Sequence, residues 1–353
     1  MRILIIGGTK FVGRHITEAA LGAGHDVTVF HRGSTGAGLF PQATHLTGDR
    51  NGDLAALSAG HWDATIDVSA YFPRQVRSLA AALGGRGGRY LLISSTSVYR
   101  TPVAPGFGED APLAELDDPA TEEITDQTYG GLKVACERAA VELFGTGRTG
   151  GNAASGNAAS GTAAGATVVR PTYVIGPYDY SYRLTWWVER IARGGTVLAP
   201  GGAADPIQVI DARDMASWIV SLVARSVPGI FHAVSPAPPF GFGDLLEAIA
   251  AEVAPPGTTL TWVDADFLTK QGETEEHLPL WPGGDSERDI NTADPSAAYT
   301  AGLKPRPIRQ SVAEIHEAEK VSPAPVPAGL GLTQEREAEL LAAWDTLVSA
   351  GGY

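Results

Sequence analysis

The sequence of 353 residues contains one cysteine, Cys136, and no apolar run near the roughly 20 residues that cross a bilayer. A single cysteine excludes an internal disulfide framework and a thiolate metal cluster. The basic segment, apolar segment and cleavage site of a secretory leader are also missing, because strand-like residues begin at once. We therefore expect a cytoplasmic protein with no membrane partner.

Basic residues are few, with 26 Lys and Arg against 40 Asp and Glu, for a net charge of −14. A surface of this sign repels phosphate backbones, so no nucleic-acid partner is expected. The eight histidines include no pair at metal-ligand spacing, which predicts no metal site.

Short apolar segments alternate with helical patterns through the first 170 residues. This alternation predicts an α/β fold with a Rossmann-type, doubly wound parallel sheet. The predicted strands are Arg2–Ile6, Asp26–Phe30, Thr44–Leu46, Ala64–Val68, Arg89–Ser94 and Ala166–Arg170, and the predicted helices include Val12–Leu21, Pro73–Leu83 and Thr128–Phe144.

The later part of the chain is mixed, with many prolines and tryptophans. We assign residues 1–177 to a dinucleotide-binding domain and residues 178–353 mainly to a smaller substrate lobe, with residues 207–235 returning to the sheet. Residues 145–165 repeat GNAAS and hold no aromatic or branched aliphatic side chain, which predicts a flexible surface loop. A phosphate-binding glycine loop is disfavoured there because no Lys or Arg follows at a fixed spacing. Residues 333–349 form an amphipathic pattern, which predicts a helix packed onto the body or onto a partner subunit.

The stretch IIGGTKFVGRH follows the first predicted strand and opens the first helix. Such a glycine-rich turn lets backbone N–H groups approach a pyrophosphate at a helix N-terminus. Gly7 and Gly13 hold the outer glycine positions, and Lys10 stands at the middle one, where its ammonium can contact phosphate. The predicted cofactor contacts of this turn are Gly7, Thr9, Lys10, Phe11 and Val12.

The end of the second strand distinguishes NAD from NADP, because a carboxylate there binds the ribose 2′-hydroxyl and a basic residue binds a 2′-phosphate. The sequence reads VTVFHRG, with Arg32 and no carboxylate, so NADP(H) is preferred and NAD(H) remains an alternative. A solvated loop arginine is the other interpretation of Arg32. Asp49, in TGDRNGD, is placed to meet the adenine amino group or is an ordinary turn aspartate, and Arg50 beside it is assigned to the same site.

Tyr129 and Lys133 form a Y-x-x-x-K pair in TYGGLKVACE and project from one helical face. A nearby ammonium lowers the pKa of a phenol, which makes the tyrosine a usable proton donor or acceptor. Upstream, Ser94 and Ser95 end a buried strand in RYLLISSTSVYR and can position a substrate oxygen.

Together these motifs resemble an extended short-chain dehydrogenase/reductase of the NAD-dependent epimerase/dehydratase superfamily. The resemblance runs from IIGGTKFVGR through LLISSTSVY, YGGLK and VVRPTYVIGP to IQVIDARDMA, about the first 235 residues. It implies that Tyr129 is the catalytic acid/base, that Lys133 lowers its pKa and binds the nicotinamide ribose, and that Ser95 is the catalytic hydroxyl. It also implies cofactor contacts from Val68, Ser69, Ala70, Ser94, Pro171 and Thr172.

Several positions depart from the pattern of this superfamily. Dehydratases carry Asp–Glu after the catalytic hydroxyl, whereas this chain has Thr96 and Ser97. Ile207 and Tyr173 replace an arginine and an asparagine that hold the diphosphate of sugar nucleotides, although Arg183 or Arg213 could compensate. Substrate contacts are assigned to Tyr71, Thr96, Tyr173 and Trp187, with core packing as the alternative for the aromatic residues.

The sequence therefore predicts an NADP(H)-preferring oxidoreductase that transfers hydride between nicotinamide and a carbonyl or secondary alcohol of a polar small molecule. The first alternative is an NAD-dependent sugar-nucleotide epimerase. The second is a non-catalytic member that senses redox state or binds RNA, which the intact Tyr129, Lys133 and Ser95 and the acidic balance disfavour. By analogy with the superfamily, a homodimer is a further expectation.

Overall fold

The computed structural model describes residues 1–36, 38–145, 165–281 and 288–351. Apart from Gly145 and Gly165, the predicted flexible loop lies outside the described residues. The chain divides into a sheet unit (Met1–Thr172, Ala212–Ser235 and Ala293–Pro305) and a second unit (Tyr173–Asp211, Pro236–Thr292 and Arg306–Tyr353). None of the described helices combines the length and the apolar character that crossing a membrane requires.

Seven parallel strands form the sheet, in the order Thr44–Thr47, Asp26–His31, Arg2–Ile6, Ala64–Asp67, Arg89–Ile93, Ala166–Pro171 and Gly229–Ala233. The six predicted strands are all present, and each bound lies within one residue of its predicted position, which confirms the Rossmann-type sheet. The strands are β1 (Arg2–Ile6), β2 (Asp26–His31), β3 (Thr44–Thr47), β4 (Ala64–Asp67), β5 (Arg89–Ile93), β6 (Ala166–Pro171) and β10 (Gly229–Ala233).

The central strands are almost wholly apolar because helices cover both faces of such a sheet. Ile3 through Ile6 are at most 2% exposed. Tyr90 of β5 stacks on Phe144 with ring centroids 4.0 Å apart. The helices of this unit are α1 (Phe11–Gly22), α2 (Pro73–Leu83), α3 (Asp126–Phe144), α5 (Ala212–Arg225) and α8 (Ser296–Thr300).

The strand order reverses between β1 and β4. Ile3 of β1 pairs with Val27 of β2 on one side and with Ala64 of β4 on the other. In doubly wound sheets, ligands bind outside the carboxyl ends of the strands at this switch point. The turn after β1 and the segment that follows β4 lie there, so the fold places the predicted glycine turn beside Val68, Ser69 and Ala70.

The second unit has its own apolar core, in which the Trp187 indole N–H donates to the Pro279 carbonyl at 2.5 Å. The predicted C-terminal amphipathic helix is confirmed, and Leu340 packs into this core with 1% exposure. Its strands are β7 (Tyr173–Ile175), β8 (Thr196–Pro200), β9 (Val209–Asp211) and β11 (Thr259–Val263), and its helices are α4 (Arg183–Ala192), α6 (Phe242–Val253), α7 (Ala265–Lys270), α9 (Ile308–Val321) and α10 (Gln334–Ser349).

Candidate cofactor and catalytic site

The glycine turn is packed so tightly that a side chain at Gly13 would collide with its backbone. Gly7 has φ +86°, and a Cβ at Gly13 would lie 2.0 Å from the Gly7 carbonyl oxygen. The Thr17 hydroxyl lies 2.9 Å from the carbonyl oxygens of both Gly8 and Gly13 and holds the turn against α1. No acidic residue occupies the first turn of α1, so the positive end of its dipole faces the turn without a carboxylate of its own. This arrangement suits a bound phosphate.

A buried ion pair lies at the carboxyl ends of the neighbouring strands. Arg50 Nη1 and Nη2 donate to the two oxygens of Asp67 at 2.6 and 3.0 Å, and the Tyr90 hydroxyl donates to the same carboxylate at 2.8 Å. Burial alone would raise the pKa of Asp67, but these donors lower it below its usual range. Arg50 Nη1 also donates to the Ser69 hydroxyl at 3.1 Å, which fixes the segment after β4 beside the glycine turn.

Asp67 and Tyr90 were not predicted as site residues. The available signal was an aspartate in the apolar strand ATID, because carboxylates are almost never fully buried without a partner. Asp67 is 0% exposed. The partner of Asp67 could not be predicted from the sequence, because Arg50 lies 17 residues away, in the loop between β3 and β4.

Two other predicted cofactor residues lie at the ends of β2 and β3. Arg32 directly follows β2 and is exposed. The Asp49 carboxylate accepts the Asn51 backbone N–H at 2.9 Å, which makes it a turn aspartate in the described structure. An aspartate in this turn still has a second oxygen with which to accept a hydrogen bond.

Lys133 joins α3 to the ends of two strands of the sheet. Its ammonium donates to the carbonyl oxygens of Ala70 at 2.9 Å and Ile93 at 2.7 Å, and the residue is 3% exposed. Burial lowers the pKa of Lys133. The ammonium lies 5.7 Å from the centroid of the Tyr71 ring. Lys133 is therefore held by backbone groups at the carboxyl edge of β4 and β5, where the predicted site residues converge.

The helix that carries Tyr129 packs directly against the turn that carries Ser95. A Cβ at Gly130 would lie 2.1 Å from the Ser97 carbonyl oxygen, so a side chain there would push the two segments apart. Ser95 caps a short 3-10 helix, with its hydroxyl accepting from the Ser97 backbone N–H at 3.1 Å. Tyr129 and Ser95 are both half-buried. The structure thus brings the two segments of the predicted catalytic residues together.

These residues fit a nicotinamide dinucleotide. The Ser94 hydroxyl, at the carboxyl end of β5, is 4% exposed and has no hydrogen-bond partner among the described residues. A buried hydroxyl of this kind requires a partner, and a bound cofactor would supply one. Pro171 ends β6 and Thr172 follows it, at the same edge of the sheet.

The predicted substrate residues are divided between the two units. Tyr71, 38% exposed, and Thr96, 6% exposed, lie in the sheet unit. Tyr173 lies in the second unit, with the Arg183 guanidinium 5.7 Å from its ring centroid. Trp187 is 0% exposed, which favours the packing alternative for this residue.

A second buried network ties β6 and β10 to the segment after the Ser95 turn, and the sequence did not indicate it. Arg170 Nη1 donates to the Tyr99 hydroxyl at 2.6 Å and to the Glu109 carbonyl at 2.8 Å. The Tyr99 hydroxyl contacts His232 Nε2, while His232 Nδ1 lies 2.9 Å from the Asp294 carbonyl oxygen. Nδ1 must carry a proton to reach that carbonyl, and burial lowers the pKa of His232, so in the favoured neutral imidazole Nε2 accepts from Tyr99.

The sequence pattern of the NAD dependent epimerase/dehydratase family matches residues 3–232. A curated relative, the chloroplast stem-loop binding protein of 41 kDa b of Arabidopsis thaliana, is 24% identical over 241 residues. That match covers 64% of this chain and 55% of the relative, so the matched region spans about half the length of that protein.

Solved structures share the fold at low identity. The UDP-glucuronic acid 4-epimerase of Bacillus cereus, in complex with NAD, is 13% identical, with a TM-score of 0.62 over 91% of this chain and 99% of the other. The human epimerase family protein SDR39U1 (isoform 2), with NADPH, is 17% identical, with a TM-score of 0.59 over 90% and 99% of the two chains.

Proposed function

Because the chain belongs to the NAD-dependent epimerase/dehydratase family, we propose that it is an NADP(H)-preferring oxidoreductase that acts on a carbonyl or secondary alcohol of a polar small molecule. The observation that carries the proposal is the position of Lys133, whose buried ammonium lies at the ends of β4 and β5 on the same helix as Tyr129. A lysine buried for packing alone would be costly, because burial disfavours its charge.

Tyr129 is the acid/base in this proposal. In the reductive direction its hydroxyl gives a proton to the substrate oxygen, and in the oxidative direction it takes the proton back. A Lys133 charge near the phenol would stabilise its ionised form and so keep this exchange accessible near neutral pH. The Ser95 hydroxyl orients the substrate oxygen toward Tyr129. When bound, the nicotinamide supplies or accepts the hydride.

The cofactor would lie along the carboxyl edge of the sheet. The turn from Gly7 to Val12 would hold the pyrophosphate, Asp49 the adenine amino group and Arg32 the 2′-phosphate. Ser94, with Pro171 and Thr172, would border the nicotinamide. The human epimerase family protein, which shares the fold at 17% identity, was solved with NADPH.

A sugar-nucleotide epimerase is the second candidate, and the similarity to the Bacillus cereus 4-epimerase favours it. Epimerisation also requires only Tyr129, Lys133 and Ser95. Dehydration is not proposed, because Thr96 and Ser97 can neither protonate a leaving hydroxyl nor remove a C–H proton near neutral pH. Stem-loop RNA binding, which the name of the Arabidopsis relative states for that protein, is disfavoured by the net charge of −14.

The deciding experiment identifies any cofactor that co-purifies, and then screens ketones with NADPH and UDP- and dTDP-sugars with NAD. NADPH-dependent ketone reduction supports the reductase, whereas retained NAD with sugar-nucleotide turnover supports the epimerase. Tyr129→Phe should lower turnover by about 10²-fold or more and leave cofactor affinity nearly unchanged. Full activity in Tyr129→Phe, or water-elimination products from a sugar nucleotide, would show that the catalytic assignment is wrong.

A further inference from the structure

Two histidines lie side by side at the edge of the sheet, next to the predicted 2′-phosphate arginine. His31 ends β2 and His45 lies on β3, and Val29 is the register partner of His45. His31 is two residues beyond Val29, so both rings lie on the same face of the sheet. The rings meet edge to face with centroids 5.1 Å apart, and His31 Nε2 lies 2.9 Å from His45 Nδ1.

Backbone groups at both ends of the pair determine where its protons lie. The Gly33 N–H donates to His31 Nδ1 at 2.9 Å, so that nitrogen carries a lone pair. The proton of neutral His31 is then on Nε2, which donates to His45 Nδ1. The proton of His45 is in turn on Nε2, which faces the Phe40 carbonyl oxygen at 3.1 Å. One arrangement, with both rings neutral, satisfies all three hydrogen bonds.

The pair holds both ends of the segment that carries Arg32. The bond from the Gly33 N–H to the His31 ring closes a small loop around Arg32 and fixes its backbone direction. The bond to Phe40 anchors the far end of the same segment. Between these ends, a Cβ at Gly36 would lie 3.1 Å from the Thr9 carbonyl oxygen, so the segment runs against the glycine turn.

We infer that His31 and His45 are positioning residues for cofactor discrimination, acting by holding Arg32 where the ribose 2′-phosphate would meet it. The inference rests on the proposed NADP(H) preference. A loop that had to order its backbone on binding would lose part of the affinity gained from a phosphate contact. Fixing the backbone on both sides of Arg32 reduces that ordering loss.

The neutral state of the pair agrees with its surroundings. Burial and the neighbouring His45 both lower the pKa of His31. A protonated His31 would direct Nδ1–H at the Gly33 N–H, so charging this ring would break the bond that closes around Arg32.

The test is a double-mutant cycle on cofactor discrimination at pH 8. NADPH and NADH are titrated by nucleotide fluorescence into the wild type, Arg32→Ala, His45→Phe and the double variant. Arg32→Ala should reduce the NADPH preference by roughly ten- to a hundredfold, the scale of a charge-assisted phosphate contact. His45→Phe should remove a large part of the same preference and leave NADH affinity unchanged. The double variant should match Arg32→Ala alone, because a positioning residue has no effect once the residue it positions is gone.

Two conservative variants separate positioning from packing and serve if His45→Phe fails to fold. His45→Asn places an amide oxygen near the position of Nδ1 and can still accept from His31, although it loses the bond to Phe40, so it should keep more of the preference than His45→Gln. His45→Gln places its amide nearer the position of Nε2, can still donate to Phe40 but not accept from His31, and should lose it. Equal preference in these two variants would overturn the inference.

The outcomes also separate this inference from the proposed function. If wild-type protein binds NADPH and NADH equally, the proposed preference and the inference both fail. If Arg32→Ala removes the preference but His45→Phe and His45→Gln keep it, only the role of the pair fails. A further loss in the double variant beyond Arg32→Ala would likewise overturn it, because the two residues would then act independently.

Discussion

Arg170 of β6 and Glu137 of α3 form a bidentate ion pair inside the sheet unit. Arg170 Nε and Nη2 donate to the two carboxylate oxygens at 3.0 and 2.7 Å, and the side chains are 1% and 6% exposed. Glu137 lies one helical turn beyond Lys133, and the same arginine donates to Tyr99, which follows the Ser95 turn. One guanidinium therefore connects both segments that carry the proposed catalytic residues to β6.

Glu137→Gln should destabilise the protein strongly, because it leaves the Arg170 charge buried without a counter-ion. Removing one partner of a buried pair typically lowers the free energy of unfolding by about 3–5 kcal/mol. The matched control is Glu142→Gln on the same helix, because the partner of Glu142, Arg77, is 52% exposed. This substitution should lower the free energy of unfolding by less than about 1 kcal/mol. Urea denaturation of both variants checks the prediction. Equal decreases in the free energy of unfolding would show that burial of the Arg170–Glu137 pair adds nothing to stability.

The sequence predicted the sheet because each strand is a local apolar run bounded by helical patterns. It also predicted Tyr129, Lys133 and Ser95 as catalytic residues, because a motif with fixed spacing is a local signal, and their role stays a prediction. The partners of Asp67 and Glu137 escaped prediction because Arg50 and Arg170 lie 17 and 33 residues away along the chain. Such pairs depend on which strands become neighbours, and no local pattern encodes that choice.

The histidines illustrate the same limit. Sequence spacing gave no reason to pair His31 with His45, 14 residues apart. The pairing follows only from β2 and β3 being adjacent in a particular register. The packing of Trp187 was equally hard to predict, since its indole N–H donates to the Pro279 carbonyl in a distant segment.

Gly130→Ala should separate α3 from the Ser95 turn. Its Cβ would lie 2.1 Å from the Ser97 carbonyl oxygen, a backbone atom that cannot rotate away. Overpacking of this kind typically lowers the free energy of unfolding by about 1–3 kcal/mol.

Gly22→Ala, on α1, is the control, because a Cβ there would meet no atom within 4 Å. It should be neutral or stabilising, since alanine favours a helix over glycine. Thermal unfolding followed by circular dichroism compares the two. A melting temperature for Gly130→Ala at or above that of Gly22→Ala would contradict the packing described for this turn.

Residues 147–165 should tolerate shortening to a few residues. This prediction rests on the sequence alone, because that segment has no aromatic or branched aliphatic side chain to bury. Loop-closure entropy changes slowly with length, so the stability should change little. A melting temperature lowered by more than about 5 °C, roughly 1–2 kcal/mol in a protein of this size, would show that the segment packs.

The stability of the protein should fall as pH decreases from about 6.5, the ordinary pKa of histidine. His232 is 0% exposed, and its burial lowers its pKa. The Arg170 charge also lowers this pKa, whereas Glu109 and the hydrogen bond to the Asp294 carbonyl raise it, but burial is the largest effect. The Tyr99 hydroxyl that donates to it has a raised pKa and stays protonated. The pKa of His232 is lower in the folded state than in the unfolded state. At pH values between these two pKa values, the unfolded state therefore binds more protons. The stabilisation is therefore complete above the unfolded pKa and is lost as pH falls through the folded pKa.

His232→Gln tests this assignment against His61→Gln, a substitution of an exposed histidine. Glutamine can accept from Tyr99 but does not titrate, so the variant should show a weaker dependence of unfolding free energy on pH between about 6.5 and 5. His61→Gln should retain the wild-type dependence. The measurement is urea denaturation at several pH values across that interval. An unchanged pH dependence in His232→Gln would mean that other groups, such as His31, account for the loss of stability in acid.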